Sequence, residues 1–355
     1  MKKFKKLLNE IFIDGLSGMA TGLFATLIIG TIIQQIGGFL PGTFGEMIYV
    51  IGKIASSVTG VGIGCGVAVR FKENPLVIMS AATCGMMGAF ASKILAGTVL
   101  VDGNIVYAGP GEPLGAFVAA LAGIYMGRLV SGKTKVDIII TPLLSILTGS
   151  AVGLILGPPI SGFMTFLGEL INLGTQQQPF LMGIFVSVIM GIILTLPISS
   201  AALGIILNLS GLAAGAATVG CCANMVGFAV ASYRENKMNG LLAQGLGTSM
   251  LQIGNIMKKP VIWLPAIITS AVLGPVATLV FDMTNNATGS GMGTAGLVGQ
   301  ITTYQTMVGA GESAGMVLFK IALLHFILPA LLSLGISEFM RKKGWISDGD
   351  MKLSV

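Results

Sequence analysis

The sequence predicts an all-α, polytopic integral membrane protein. It is expected to have about ten transmembrane helices, re-entrant segments and both termini in the cytoplasm. Three observations predict this. Hydrophobic residues make up 54% of the 355 positions and charged residues only 10%, whereas soluble domains carry about 25% charged residues. A soluble core could not hide that much apolar surface, and the lipid bilayer is the solvent that accepts it. Apolar runs near the ~20 residues that a span requires recur along the chain. Basic residues gather in short clusters between those runs, as topology signals do.

The first element is a basic head, Lys2, Lys3, Lys5 and Lys6, followed by Leu7, Leu8, Ile11 and Phe12. Residues 1–12 read as a cytoplasmic, interfacial amphipathic start. Spans follow at about 15–37, 47–69, 75–97, 113–130 and 138–157. No cleavage pattern follows the first run, which is therefore expected to be a retained span. Further runs cover about 179–196, 198–212, 213–233, 261–281 and 314–337. Basic loops hold Arg70/Lys72, Arg128/Lys133/Lys135, Arg234/Lys237, Lys258/Lys259 and Arg341/Lys342/Lys343. Loops without that excess are about 38–46, 98–112, 158–178 and 282–312. Placing the basic loops inside makes the two kinds alternate. It also gives ten crossings if 198–212 is a short or broken helix.

Two segments do not fit as spans and are candidate re-entrant elements. Residues 241–257 lie between two basic loops and form either a re-entrant hairpin or a surface helix. Residues 282–312 are rich in Gly, Thr and Asn. Non-helical backbone at membrane depth survives only where protein buries it or where it lines a cavity, so such segments point to a binding or permeation site. In 99–108, Asp102-Gly103-Asn104 between apolar residues predicts a small β-hairpin.

Glycine occurs 52 times, about twice its usual share of ~7%. Helices in lipid associate by close backbone approach, so small residues line their contacts. Gly60, Gly62, Gly64 and Gly66 supply two overlapping GxxxG spacings. Cys65, Cys84, Cys221 and Cys222 all lie in apolar runs and read as small apolar residues.

The sequence excludes several classes. It has no HExxH, no GxxxxGK[ST] and no Cys/His metal cluster. No cofactor, no metal, no catalytic residue and no nucleic-acid partner is therefore expected, and the net charge of +6 is accounted for by topology signals. The single histidine, His325, lies within the last span, where it is either a packed hydrogen-bonded residue or a proton carrier. Lys320 is expected to snorkel outward.

Candidate substrate-binding residues are mostly uncharged. In Thr195-Leu-Pro197-Ile-Ser199-Ser200 the proline removes a backbone donor and breaks the helix. That is either an ordinary kink or a source of free carbonyls and hydroxyls for a ligand. Gln244, Thr248, Gln252 and Asn255, spaced 4, 4 and 3 apart, would share one helix face, opposite Leu242, Leu246 and Ile253. The stripe faces either a polar cavity or water. Glu112 and Glu312 each follow a Gly-x-Gly turn before a span. They either cap a helix N-terminus or line the site near an outer gate.

The run Leu196-Pro197-Ile198-Ser199-Ser200-Ala201-Ala202, the Gly311-Glu312-Ser313 turn and the overall layout resemble the second family of phosphotransferase-system EIIC-like membrane proteins. That group includes the perfringolysin-regulator-type proteins. The resemblance covers nearly the whole chain and implies a single EIIC-like transmembrane domain over 1–355. It further implies a sugar permease in the bacterial cytoplasmic membrane, homodimeric, whose sugar is phosphorylated by separate EIIA and EIIB chains. Gly335-Ile336-Ser337-Glu338 is similar in letters to the sugar-holding motif of glucose-type members. It abuts Arg341-Lys342-Lys343, away from the family position, and reads as coincidence. Two functions compete: a carrier for a small polar solute, expected to be a sugar, and a membrane-embedded ligand sensor or regulator that does not transport.

Overall fold

A computed structural model of the chain describes residues 2–107, 109–175 and 177–353. Helices dominate it. Its Cα packing separates two units, Met1–Met164 and Thr165–Val355.

In the first unit the amphipathic start is not a separate element. Helix begins at Lys2 and runs to Phe39 through two π-helical stretches, Glu10–Gly15 and Phe24–Ile28. Leu7, Leu8 and Phe12 are exposed along it. The side chains of Lys2, Lys3 and Lys5 lie outside the described residues. The expected span 47–69 is a bent pair, Gly42–Ser57 and Thr59–Arg70, turned by 52° at Val58. The overlapping GxxxG spacings act on two neighbours at once. A Cβ on Gly62 or Gly66 would lie 2.8 or 2.3 Å from the carbonyl oxygen of Gly22 or Gly18 on the first helix. One on Gly60 or Gly64 would lie 2.7 or 2.1 Å from that of Gly85 or Ala81. Real Cβ atoms cannot sit that close, so alternate glycines let one helix pack backbone to backbone on both sides.

The expected 75–97 span is shorter. Helix Pro75–Ala89 ends at Phe90, and Ala91–Leu95 is a separate turn. The hairpin forms as expected. Strands Leu100–Val101 and Asn104–Ile105 pair antiparallel, with Leu100 opposite Ile105. Asp102 and Gly103 both take positive φ, 49° and 77°, as a type I′ turn requires. Ala108 lies outside the described residues. Helix Pro113–Val130 matches its expected bounds. The next helix does not stop at 157. It continues from Asp137 to Thr175 through Pro142, Pro158 and Pro159, so most of the expected 158–178 loop is helical.

The second unit is built around one helix, Gly211–Ala231, whose residues are almost all buried. Helices Pro179–Thr195, Leu264–Leu279 and Leu328–Lys342 pack around it. Glycine again sets the distances. A Cβ on Gly220 would lie 1.9 Å from the carbonyl oxygen of Ser187, and one on Gly274 2.0 Å from that of Gly183. Two apolar clusters flank the central helix. One joins Val219 to Leu273, Met307, Ile321 and Leu324. The other joins Phe228 to Ile256, Ile262, Met340 and Met351. Val219 and Phe228 are roughly 13 Å apart along a helix rising 1.5 Å per residue, and the interval holds Cys221, Cys222 and one amide, Asn224.

Among the described residues, six helices are long and apolar enough to cross a membrane, or seven if the bent pair counts as one span. Pro75–Ala89 and Pro179–Thr195 are apolar but shorter.

Candidate functional site

Three breaks in regular structure meet beside the middle of the central helix. The first is the expected one at Pro197. Helix Pro179–Thr195 stops, Leu196 is extended, and helix resumes over Ser200–Ile206. Thr195, Ser199 and Ser200 are buried there. Ser200 Oγ donates to the carbonyl of Gly291 at 2.6 Å.

The second break lies in 241–257. The one-face stripe is corrected here, because the segment is not one helix. A π turn Ala243–Gly247 ends at Thr248, whose backbone is extended, and a 3-10 turn Ser249–Gln252 precedes the helix Ile253–Lys258. Thr248 Oγ1 accepts from the Met250 N–H and starts the second piece. The segment is also not a surface helix, since Gln244, Thr248, Ser249 and Gln252 are buried. The amides join one another instead. Gln252 Nε2 donates to Gln244 Oε1 at 2.8 Å and to the Met351 carbonyl at 2.9 Å. Asn255 Nδ2 donates to Gln252 Oε1 at 2.8 Å and to the Lys352 carbonyl at 3.0 Å. Gln244 in turn donates to Ser232 Oγ. The stripe thus fastens the C-terminal tail.

The third break lies in 282–312. A short helix Ala287–Ser290 and a tight turn lead into helix Val298–Gly309. The turn needs three left-handed residues, Gly293, Gly296 and Leu297. Gly293 is also pressed against the central helix: a Cβ there would lie 2.8 Å from Cys221 Cβ. Asn285 Nδ2 donates to Thr218 Oγ1 at 2.8 Å and to the Gly299 carbonyl at 3.2 Å, closing the base of the hairpin.

The polar interval of the central helix ties these breaks together. Thr195 Oγ1 is 2.7 Å from Ser249 Oγ and 3.3 Å from Asn224 Oδ1. Trp263 Nε1 donates to Asn224 Oδ1 at 2.9 Å, and Asn224 Nδ2 donates to Ser270 Oγ at 3.1 Å. On another side, Gln300 Nε2 lies 3.3 Å from Cys222 Sγ and 3.1 Å from His325 Nδ1. His325 sits in a π-helical turn, Ala322–Ile327, of the last long helix, a distortion frequent at functional sites. Thr195 belongs to the run expected to break at Pro197, whereas the sequence does not mark Thr218, Asn224, Ser249 and Gln300 as site residues. Thr218 and Asn224 are lone polar side chains within an apolar run, while Ser249 and Gln300 lie in polar stretches beside Thr248 and near Thr302 and Thr303.

The two glutamates have structural partners. Glu312 Oε2 pairs with Lys320 Nζ at 2.6 Å, so Lys320 turns to the carboxylate rather than snorkelling freely. Glu112 caps helix Pro113–Val130, accepting from the Leu114 N–H. It stands outside that apolar helix, and burial pushes its carboxyl up to about 7 against that hydrogen bond. In 335–338, Glu338 pairs with Arg234 at 2.7 Å and Ser337 is buried.

A family model described as Phosphotransferase system, EIIC, matches residues 13–353. The chain belongs to the EIIC family of the phosphotransferase system. Among proteins of curated function none matches it. Membership makes this EIIC a permease-type membrane component, one that works with EIIA and EIIB components and a transported solute. Pro197-Ile198-Ser199-Ser200, part of the run that resembles the family, forms one of the three breaks.

Proposed function

We propose that this EIIC carries a small neutral polar solute, a sugar or a related polyol, and that separate EIIA and EIIB chains supply its phosphorylation. The observation that carries the reading is the chemistry of the buried interval. Thr195, Thr218, Asn224, Ser249, Ser270 and Gln300 bring hydroxyls and amides together at three helix breaks, and none of them is charged. Hydroxyls and amides can donate and accept in exchange for water, and each solute hydroxyl left unpaired would cost about 1–3 kcal/mol. An ionic solute would need an opposite charge that this interval lacks. Ser199 and Ser200, at the Pro197 break, are the side chains placed to meet the solute. Thr248 bounds the facing segment, while Gln244, Gln252 and Asn255 hold its wall. Glu112 and Glu312 take part only if they leave their cap and ion pair.

The same proposal includes ten crossings, cytoplasmic termini, a homodimer and a place in the bacterial cytoplasmic membrane. The test is uptake and binding of a sugar and polyol panel by purified protein in proteoliposomes. Saturable uptake of one member supports the carrier. Binding without uptake, with or without EIIA and EIIB, favours the sensor. Ser200→Ala is expected to weaken binding of that member roughly tenfold, about 1.4 kcal/mol, with normal assembly. Parental affinity in this variant would move the site away from the Pro197 break.

A further inference from the structure

The hydrogen-bonded pair Gln300 and His325 holds two orphaned polar atoms. Gln300 Oε1 and His325 Nε2 are buried and have no hydrogen-bond partner among the described residues. The remainder of each group is engaged. The Gln300 amide nitrogen spends its two hydrogens on Cys222 Sγ at 3.3 Å and His325 Nδ1 at 3.1 Å. A neutral imidazole that accepts at Nδ1 carries its proton on Nε2. The pair therefore presents one bare acceptor, Gln300 Oε1, and one bare donor, the His325 Nε2–H. His325 is fully buried and Gln300 is 7% exposed. Native proteins leave few such groups unpaired, and each one calls for a ligand or an ordered water.

The position is specific. Gln300 begins the helix that leaves the 282–312 turn, two residues after its first residue Val298. Cys222 lies on the central helix between Thr218 and Asn224, the two residues that tie the hairpin base and the Pro197 break to it. His325 comes from the π-helical turn of the last long helix. Three elements thus meet at one acceptor and one donor that are both buried.

We propose that Gln300 and His325 form a hydroxyl-binding subsite for the carried solute. One solute hydroxyl donates to Gln300 Oε1 and a neighbouring one accepts from His325 Nε2–H. Adjacent hydroxyls of a neutral polyol supply both, an apolar group supplies neither, and a deprotonated anionic group, which only accepts, leaves Gln300 Oε1 unmet. Water offers the same chemistry and occupies the pair when the solute is absent. This inference rests on the carrier reading and adds to it the residues that recognise the hydroxyls.

His325 is the only histidine in the chain, so histidine labelled with 15N in the ring and incorporated into an untagged or Strep-tagged protein reports this site alone. The probes are D-glucose, D-mannitol and myo-inositol with their singly deoxygenated analogues, and calorimetry measures their binding. The expected result is an Nε2-protonated tautomer whose 15N signal moves when a binding polyol is added. Gln300→Leu should weaken that polyol about tenfold. It should also abolish the preference for the polyol over the analogue that lacks the contacted hydroxyl. If a polyol binds with the His325 signal unmoved, the pair holds only water and the subsite is overturned while the carrier stands. If no polyol gives binding heat, the carrier reading falls and the subsite with it. The labelled parent decides the matter even if Gln300→Leu does not fold.

Discussion

Replacing Gln252 by alanine separates an anchoring residue from a solute ligand. Its side chain is fully buried and sits in a relay from Gln244 to Asn255 and the Met351 carbonyl. Truncation leaves the buried Gln244 Oε1 without this donor, at about 1–3 kcal/mol. The other two losses are smaller. Met351 keeps the Asn236 Nδ2 donor at 2.8 Å, and Asn255 keeps the Lys352 carbonyl. At about 1 kcal/mol apiece for those, the tail loses about 3–5 kcal/mol, at least on the order of a hundredfold in its open population. Other fastenings, among them the Lys259–Asp350 pair at 2.6 Å, the Arg341–Asp348 pair at 2.9 Å and the buried Met351 side chain, keep the rest of the fold in place. Hydrogen–deuterium exchange of the peptide 344–353 reads the effect directly, since the Leu353 N–H is held by Asn236 Oδ1 at 2.8 Å. Exchange should accelerate by at least about two orders of magnitude, with little change in the helix Gly211–Ala231. Unchanged protection of the tail would refute the anchoring argument. If solute binding vanished while the tail stayed protected, Gln252 would be a ligand residue.

Three other outcomes follow from the packing, the charges and the loop pattern. Gly220→Ala should destabilise the protein by about 3 kcal/mol or more, because rigid backbone at Ser187 cannot yield to the new Cβ; Gly335→Ala, with nothing within 4 Å, should be tolerated, and thermal unfolding in detergent compares the two. The Glu112 carboxyl binds its proton more tightly folded than unfolded, so stability should fall as pH rises from the ordinary carboxylate range to about 7; Glu112→Gln should flatten that slope, and a retained slope would clear Glu112 of the effect. Cysteines at Lys133 and Arg234 should react only from the cytoplasmic side and one at Asn104 only from outside; the reverse labelling of Asn104→Cys would overturn the topology.

Much of the fold was legible because it depends on short-range rules. Composition and run length marked the helices, the Asp102-Gly103 turn announced the hairpin, and Pro197 marked its break. The alternate glycines at 60–66 announced close packing, although not that they serve two different neighbours. Legibility failed where a residue's partner lies far along the chain. The spacing of Gln244, Thr248, Gln252 and Asn255 is helical, but Thr248 is extended, so the periodicity that suggested one face did not survive. The partners of Gln252 and Asn255 are carbonyls 99 and 97 residues away, and no local pattern encodes them. Asn224 went unnoticed for the same reason: its links to Thr195 and Ser270 span 29 and 46 residues. The loop expected at 158–178 opens on Pro158 and Pro159, yet helix continues through both, as neighbouring groups in membrane-type helices often permit.

The three breaks differ in how fully they are closed, and that difference bears on function. Every helix interruption frees backbone groups that burial makes costly. In 241–257 they are sealed by the chain itself. Thr248 caps the following turn, Gln244 and Gln252 pair with each other, and the C-terminal tail takes the remaining amide hydrogens. At Pro197, Ser200 closes onto Gly291, a bond that leaves the hydroxyl oxygen able to accept another. Near the 282–312 hairpin the base is closed by Asn285 and Thr218, but Gln300 Oε1 and His325 Nε2 are left open. A fold that merely tolerated its breaks would have sealed all three in the same manner. The open donor and acceptor lie in the apolar interior, where an unpaired polar group is most costly, which is the place a carrier would keep them for a solute that arrives and leaves.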